Sequence, residues 1–247
     1  MNRKLQLLLP VLAVGLLMAA STAAWAGTDL GLQLTSAPGQ ATICDNNINY
    51  PGCTGNASDL NPTLGAITFV GAVGAWNMNV TSGFGPPMEN LIPLLDISTF
   101  NATTSTGAAP MTILLSVSGL TGLNGLYQAF ESIGGTNTAI GATVTIQAWY
   151  SASNTAFCAN AGCAVAISPL LSFTGASFNG NAFGSAFNPG NGPFAITLAV
   201  TINANGQADT TSFDAGVDLL PEPASLSLLG SGLLGFGMAF RRMLLRG

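Results

Sequence analysis

The chain has 247 residues, 48% of them hydrophobic and only 6% charged, and its formal net charge is −5 at neutral pH. It has no histidine, and its five basic residues all lie close to one end or the other, so the body from Gly27 to Leu220 has nine acids and no basic side chain. Phosphate and nucleic-acid binding rely on basic side chains, so both are excluded for this body. Serine, cysteine and zinc catalysis usually need histidine or lysine, which leaves carboxylate chemistry, binding of hard cations, or no chemistry.

The first 26 residues have the pattern of a secretory signal peptide. Arg3 and Lys4 form a positive start, the apolar run Leu5–Ala20 follows, and Ala24-Trp25-Ala26 matches the small-residue cleavage site. We predict an N-terminal signal helix, export through the Sec translocon, and cutting by signal peptidase between Ala26 and Gly27. A retained N-terminal anchor is the alternative.

The start of the body, residues 27–65, is polar and rich in Asn, Thr, Gly and Pro. We predict a first strand at Asp29–Leu34 and then a long loop. Four cysteines in an exported chain indicate two disulfides, for which three connectivities exist. We favour the local pairs Cys44–Cys53 and Cys158–Cys163, each of which closes a short loop. A four-thiolate metal site is the alternative, although no Cys-x₂-Cys spacing is present.

Strand patterns dominate from Ala66 onwards. Apolar and polar residues alternate at period two, with many β-branched and aromatic residues, in segments 67–71, 76–81, 111–118, 143–150 and 194–202. Turn sequences rich in Gly, Asn and Pro separate them. We therefore predict an all-β fold, a single antiparallel β-sandwich of jelly-roll-like type over residues 27–220. We also predict a short helical turn near Leu120–Ile133, and a loop at Asn179–Gly192 with Phe183 and Phe187 tucked against a sheet end.

The last 27 residues begin with Pro221-Glu222-Pro223, continue as an uncharged apolar run over Ala224–Phe240, and end with an arginine cluster that includes Arg241 and Arg242. As a helix the run spans about 25 Å, slightly less than the hydrocarbon core of a membrane. The arginines mark the cytoplasmic end. We predict a transmembrane helix over 224–240, with the body on the outer side of the inner membrane.

These three parts, in this order at the C-terminus, resemble the PEP-CTERM sorting signal of Gram-negative bacteria. The resemblance covers about the last tenth of the chain. It implies recognition by an exosortase through Pro221, Glu222, Pro223, Arg241 and Arg242, with a cut near the first three, after which the body is released or transferred to the cell surface or extracellular matrix. Similar tails occur on unrelated bodies, some of them ice-binding, so the tail does not define the activity of this body. An ordinary single-span anchor is the alternative.

Two clusters of oxygen ligands in the body are candidate sites for a metal ion. Asp209, Asp214 and Asp218 precede the tail, and carboxylates are ligands that Ca²⁺ prefers. Their spacing is not that of an EF-hand, and the alternative is that they lie in solvated strand ends and a linker. A second oxygen-rich loop has Asp45, Asn46, Asn47 and Asp59. We predict no other cofactor.

Aromatic and threonine side chains are the candidate sugar-binding groups. Trp76 alternates with apolar residues and is expected in the core. Trp149 is the better surface candidate for stacking on sugar rings, and the alternative is that a second layer of the protein covers it. The other residues of interest are two tyrosines and a threonine set that would form polar sheet faces for polysaccharide or ice: Tyr127, Tyr150, Thr143, Thr145, Thr197 and Thr201. An ordinary solvent-facing strand side is the alternative.

The sequence thus favours a non-enzymatic exported protein of the cell surface or the exopolysaccharide matrix. A binding module for glycan, Ca²⁺ or ice is the second hypothesis. A carboxylate-dependent glycoside hydrolase is the third, because two of the nine acids would suffice for that chemistry.

Overall fold

The computed structural model of the protein describes residues 29–85, 94–121, 123, 125–221 and 232. The predicted signal helix and its cleavage residues Ala24, Ala26 and Gly27 lie outside this part. So do Glu222, Pro223, Arg241, Arg242 and, except for Gly232, the predicted span 224–240. These assignments stay predictions. Within the described ranges, no helix is long and apolar enough to cross a membrane.

Thirteen strands and one short 3₁₀ turn (Asp45–Asn47) make up the described secondary structure of the body. The strands in chain order are β1 (Asp29–Ser36), β2 (Gly39–Cys44), β3 (Ala66–Val73), β4 (Trp76–Gly85), β5 (Leu94–Thr104), β6 (Met111–Leu120), β7 (Tyr127–Asn137), β8 (Thr143–Ser151), β9 (Val165–Ala166), β10 (Leu171–Thr174), β11 (Ser177–Phe183), β12 (Phe194–Asn203) and β13 (Asp209–Pro221).

The strands form two antiparallel sheets, which confirms the predicted all-β sandwich. Sheet 1 has seven strands, in the order β10-β8-β12-β6-β1-β2 with β9 paired to β8, and sheet 2 has six, in the order β11-β7-β13-β5-β4-β3. The consecutive pairs β5/β6, β7/β8, β10/β11 and β12/β13 each divide between the two sheets. The finer, jelly-roll-like topology stays a prediction.

One apolar core fills the space between the sheets, because the inward residues of almost every strand are apolar. Trp76 belongs to this core, as its alternation predicted: its side chain is fully buried and its indole N–H donates to the carbonyl of Ala109 at 2.9 Å. Phe100 and Phe213, from neighbouring strands of sheet 2, stack with ring centroids 4.6 Å apart.

Six predicted strands correspond to β1, β3, β4, β6, β8 and β12, while three other expectations are wrong. The long loop expected after β1 contains β2. The helical turn expected near Leu120–Ile133 is replaced by the end of β6 and much of β7. The loop expected at Asn179–Gly192 begins with β11, and Phe183 is 56% exposed rather than tucked away, whereas Phe187 does pack against the core.

Two local disulfides, Cys44–Cys53 and Cys158–Cys163, confirm the favoured connectivity, and each has its Cα atoms 5.9 Å apart. The loop closed by Cys44–Cys53 and the loop that leads into Cys158 lie over the outer face of sheet 1. Gly31 on β1 shows this, because a Cβ there would be 2.5 Å from the ring of Phe157 and 2.7 Å from the hydroxyl of Tyr50. The glycine is therefore required by the close approach of both loops to the sheet.

We expect replacement of both Cys44 and Cys53 by serine to lower the free energy of unfolding by about 2.5 kcal/mol. The reason is that the unfolded chain regains the freedom of a nine-residue loop. Urea unfolding of the full chain in mild detergent measures the change. The matched control is the pair Cys158 and Cys163, whose shorter loop predicts a smaller loss of about 2 kcal/mol. Equal stability of the first variant and the wild type would contradict the expectation.

Candidate functional site

The outer face of sheet 2 has a groove with a volume of about 510 Å³. Strands β11, β7, β13 and β5 form it, and its lining combines carboxylates, amides, a hydroxyl and glycines. We name it the sheet 2 groove and define it by these residues: Asp96, Ser132, Ile133, Gly134, Gly135, Phe178, Asn179, Gly180, Asn181, Asp214, Ala215, Gly216 and Asp218.

Strand register explains the shape of the sheet 2 groove. Ser132 lies between Asn181 on one side and Gly216 on the other, and Gly216 pairs in turn with Asp96. These four residues form a row across the sheet. The small residues Ser132 and Gly216 lie at its centre, and longer side chains lie at its two ends. Asn179 and Asn181 are exposed on the edge strand β11. The groove exists because these central positions have small residues, and larger side chains there would fill it.

A β-bulge lies beside Asp214. Ser98 and Thr99 on β5 together oppose this one residue on β13, between the pairs Phe213–Phe100 and Ala215–Ile97. Bulges bend a strand and locally increase its twist. This bulge lies at the β5 side of the groove, where Asp96 and Asp214 are close in space.

Three carboxylates, Asp96, Asp214 and Asp218, give the groove a negative potential. Burial raises the pKa of Asp96, and repulsion from Asp214 and Asp218 raises it further. Burial also raises the pKa of Asp218. Because the body has no Lys, Arg or His, none of its side chains supplies a compensating positive charge. The groove is therefore suited to hydroxyl donors, which carboxylates accept, and not to anions.

The predicted calcium candidates are separated by the fold. Asp214 and Asp218 face the groove, but Asp209 is buried at the start of β13 and accepts four hydrogen bonds from the backbone and hydroxyl groups around it. None of the three lies in a linker, since β13 continues to Pro221. Within the described part of the chain, no three acidic or cysteine side chains lie close enough together to hold a metal ion.

In the second oxygen-rich loop, Asp45 and Asp59 accept hydrogen bonds from backbone N–H groups of the same loop and of β3. Asp59 accepts hydrogen bonds from the backbone N–H groups of Asn46, Asn61 and Thr68, at 2.8 to 3.0 Å. Asp45 accepts one from Gly65 at 2.7 Å. Burial raises the pKa of Asp45, and the nearby Asp59 adds to the increase. These contacts hold the long connection between β2 and β3 against the sandwich.

The aromatic residues singled out from sequence are mostly in or against the core. Tyr150 packs against Phe187 and Phe194, and its hydroxyl donates to the carbonyl of Pro189 at 2.9 Å. Tyr127 also packs against the core. Trp149 is half-buried on sheet 1, paired with Ala166 of the short strand β9. None of them lines the sheet 2 groove.

The threonines occupy the outer face of sheet 1. Thr197 is buried, with its hydroxyl 3.0 Å from that of Ser116. A row of four threonines crosses the sheet in register: Thr145 on β8, Thr201 on β12, Thr112 on β6 and Thr35 on β1. The sequence predicts only the first two as members of a polar face. Thr143 pairs with Thr174 and Asn203. The row is a regular line of hydroxyl groups across four strands.

Comparison with known proteins gives distant likenesses in fold. We found no matching protein-family model, and no curated protein matches the sequence. Among solved structures, TmCBM61 in complex with β-1,4-galactotriose is similar at 13% identity and a TM-score of 0.31, over 60% of this chain and 88% of that chain. The enzymatically active domain of bacteriophage CBA120 tailspike protein 4 is similar at 10% identity and a TM-score of 0.28, over 59% of this chain and 19% of that chain.

A third likeness is to a viral protein. The structure of the Gx strain of infectious bursal disease virus is similar at 13% identity and a TM-score of 0.18, over 85% of this chain and 64% of that chain. At these TM-scores the likenesses decide neither the ligand nor the site, which have to be argued from the groove itself.

Proposed function

We propose that this protein is an exported, non-enzymatic component of the cell surface or the exopolysaccharide matrix, and that its body binds glycan chains. The observation that supports binding is the sheet 2 groove, where amide, hydroxyl and carboxylate groups converge on an open depression of about 510 Å³. Such groups can donate to and accept from the many hydroxyls of a sugar. The absence of basic residues from the body is unfavourable for anionic ligands.

Export and sorting are the second part of the proposal. The signal peptide delivers the chain to the Sec translocon, and an exosortase processes the C-terminal signal at the inner membrane. The end of β13 at Pro221 is compatible with this, because a cut after Pro221 would leave the whole strand in place. A cut a few residues earlier would remove Leu219, which is buried in the core.

We expect the Asn179→Ala, Asn181→Ala double variant to bind a neutral polysaccharide about tenfold more weakly than the wild type, because each amide contributes one or two hydrogen bonds. Both side chains are exposed on an edge strand, so the fold should be retained. Affinity electrophoresis of the full chain in mild detergent, on gels with and without the polysaccharide, measures the loss.

The matched control is the Asn77→Ala, Asn101→Ala double variant. These asparagines are exposed on β4 and β5 of the same sheet, outside the groove. The proposal fails if the wild type is not retarded by any neutral polysaccharide, or if the control variant loses as much affinity as the groove variant.

A carboxylate-dependent glycoside hydrolase is the second candidate function. One observation favours it: the groove brings together three carboxyl groups, and the pKa values of Asp96 and Asp218 are both raised. Acid catalysis by a glycosidase needs a carboxyl group with a raised pKa beside a second carboxylate. Release of reducing ends by the wild type, abolished in Asp96→Asn and in Asp218→Asn variants that still bind, would favour this candidate over a binding module.

A further inference from the structure

Phe183 is an aromatic side chain that the described fold leaves in solvent. Nine large hydrophobic side chains of the described residues are exposed, and Phe183, at 56%, is the aromatic one among them. Single exposed aliphatic residues are ordinary on protein surfaces. An exposed phenyl ring beside a polar groove needs a further explanation, because burial of such a ring would stabilise the fold.

A second ring supports Phe183 from behind. Phe183 is the last residue of the edge strand β11 and pairs in register with Phe130 on β7. The two ring centroids are 4.8 Å apart with an interplanar angle of 46°. The contact restricts the rotamers of Phe183, so less side-chain entropy is lost when a ligand packs on the ring.

The ring lies at one end of the sheet 2 groove. Phe183 alternates with Asn181 and Asn179 along β11, so all three side chains project from the same face of the sheet. Phe130 pairs with Asp218 on its other side, and Asp218 lines the groove. From Gly134 in the groove to Phe130, the four residue steps along β7 span about 13 Å.

We propose that Phe183 is a sugar-stacking subsite at the end of the sheet 2 groove, and that the groove binds an uncharged polysaccharide of pyranose units. This inference rests on the proposed function and assigns its ligand class. The C–H face of one pyranose ring packs on the phenyl face of Phe183. Hydroxyl groups of the same sugar or its neighbour donate to Asp218 and exchange hydrogen bonds with the amide of Asn181.

Charge selects the class of polysaccharide. Asp96, Asp214 and Asp218 line the groove, and the body has no basic side chain to pair with a carboxylate or sulfate on a sugar. A polyuronate or sulfated chain would place further negative charge beside these three. Neutral chains avoid that repulsion and still offer hydroxyl donors to the aspartates.

The test compares Phe183→Ala and Phe183→Tyr with Val70→Ala in the full chain in mild detergent. Val70 is 58% exposed on β3, at the opposite edge of the same sheet, and is the control for loss of an exposed apolar side chain. A neutral galactan is compared with polygalacturonate, since both are built from galacto-configured pyranose units and only polygalacturonate has carboxylates. A glucan and a mannan complete the neutral set, and binding is measured by affinity electrophoresis and calorimetry.

We expect Phe183→Ala to weaken binding of at least one neutral polymer about tenfold, Phe183→Tyr to stay within about threefold, and Val70→Ala to match the wild type. We expect no measurable binding of polygalacturonate. Equal affinity of Phe183→Ala and the wild type, while the Asn179 and Asn181 variant loses binding, would overturn the subsite and leave the proposed function standing. Equally strong binding of polygalacturonate and galactan would overturn the assigned class. Absence of binding to every neutral polymer would remove the proposed function as well.

Discussion

At pH 8 we expect the Glu131→Gln variant to be more stable than the wild type by about 2 kcal/mol, whereas at pH 4 the advantage should disappear. Glu131 lies on β7 with no solvent exposure, inside the sandwich. Its Oε2 accepts a hydrogen bond of 2.6 Å from the hydroxyl of Ser168, which joins sheet 2 to the segment after β9. Its Oε1 has no hydrogen-bond partner among the described groups.

The direction follows from the pKa of this carboxyl group. Burial raises the pKa of Glu131 from 4.5 to about 7, although the hydrogen bond from Ser168 and the nearby backbone N–H of Ala148 oppose the increase. Below pH 4.5 the group is protonated in both folded and unfolded chains. Between pH 4.5 and about 7 the unfolded chain loses the proton first, so stability falls as pH rises. Above pH 7 the loss is complete, at about 3 kcal/mol.

Urea unfolding of wild type and Glu131→Gln between pH 4 and pH 9 measures this effect. The amide can still accept from Ser168, but its NH₂ group gains no obvious acceptor, so the expected gain is smaller than the full penalty. Asp214→Asn is the control, because it removes one negative charge from an exposed position of the same sheet. Parallel pH profiles for wild type and Glu131→Gln would contradict the expectation.

The Asp209→Ala variant should lose about 3 kcal/mol of stability at pH 7, since buried donors lose their charged acceptor. Asp209 accepts hydrogen bonds from the backbone N–H groups of Thr138 and Ala139, at 2.9 and 2.8 Å, and from the hydroxyls of Thr138 and Thr211, at 3.1 and 2.7 Å. These bonds fix the turn after β7 to the first residue of β13. Without them, this end of the β7–β13 pair loses an anchor.

The pH dependence of this contribution has the opposite sign to that of Glu131. Burial by itself raises the pKa of Asp209, but the four hydrogen bonds outweigh it and the net pKa is lowered from 3.8. The stabilisation is therefore present above pH 3.8 and is lost as pH falls through the folded-state pKa. Together, these two carboxyl groups predict that their combined contribution to stability is greatest at about pH 4.

Thermal and urea unfolding of Asp209→Ala, Asp209→Asn and Asp214→Ala test this contribution. Asp209→Asn keeps one oxygen acceptor and should lose roughly half as much as Asp209→Ala. Asp214→Ala changes an exposed residue of the same strand and should stay within about 0.5 kcal/mol of the wild type. Asp209 has no structural role of this kind if the two alanine variants unfold at the same urea concentration.

Strands β7, β11 and β13 are not predicted from the sequence, for two physical reasons. In β13 the alternation was present, since Thr211, Phe213, Ala215, Val217 and Leu219 are buried and the residues between them are not. The three aspartates at Asp209, Asp214 and Asp218 hide this alternation, because clustered carboxylates also suit metal ligands, strand ends or a linker. Strands β7 and β11 contain glycine and asparagine, which have low strand propensity. The two strands form because β7 pairs with β11 on one side and with β13 on the other.

The exposure of Phe183 is hidden in the sequence for a related reason. The sequence predicts a loop around Phe183, and a phenylalanine in a loop is most simply placed against a sheet end. Recognising β11 as a strand would have placed Phe183 on the same face as Asn179 and Asn181. The signal for a strand is the alternation of these residues with Phe178, Gly180 and Ala182. It is weak because glycine and alanine are small.

Neighbours along the chain were sufficient for several conclusions. Period-two alternation predicted an all-β sandwich, close spacing of the cysteines predicted both disulfides, and composition alone showed a body without positive charge. The first two properties depend on residues a few positions apart, and the third depends only on composition. The sheet 2 groove depends on the pairing of Asp96 with Gly216 and of Ser132 with Asn181, from strands far apart in sequence. Only the tertiary structure could bring these residues to one face, because register between distant strands is set by packing of the whole core.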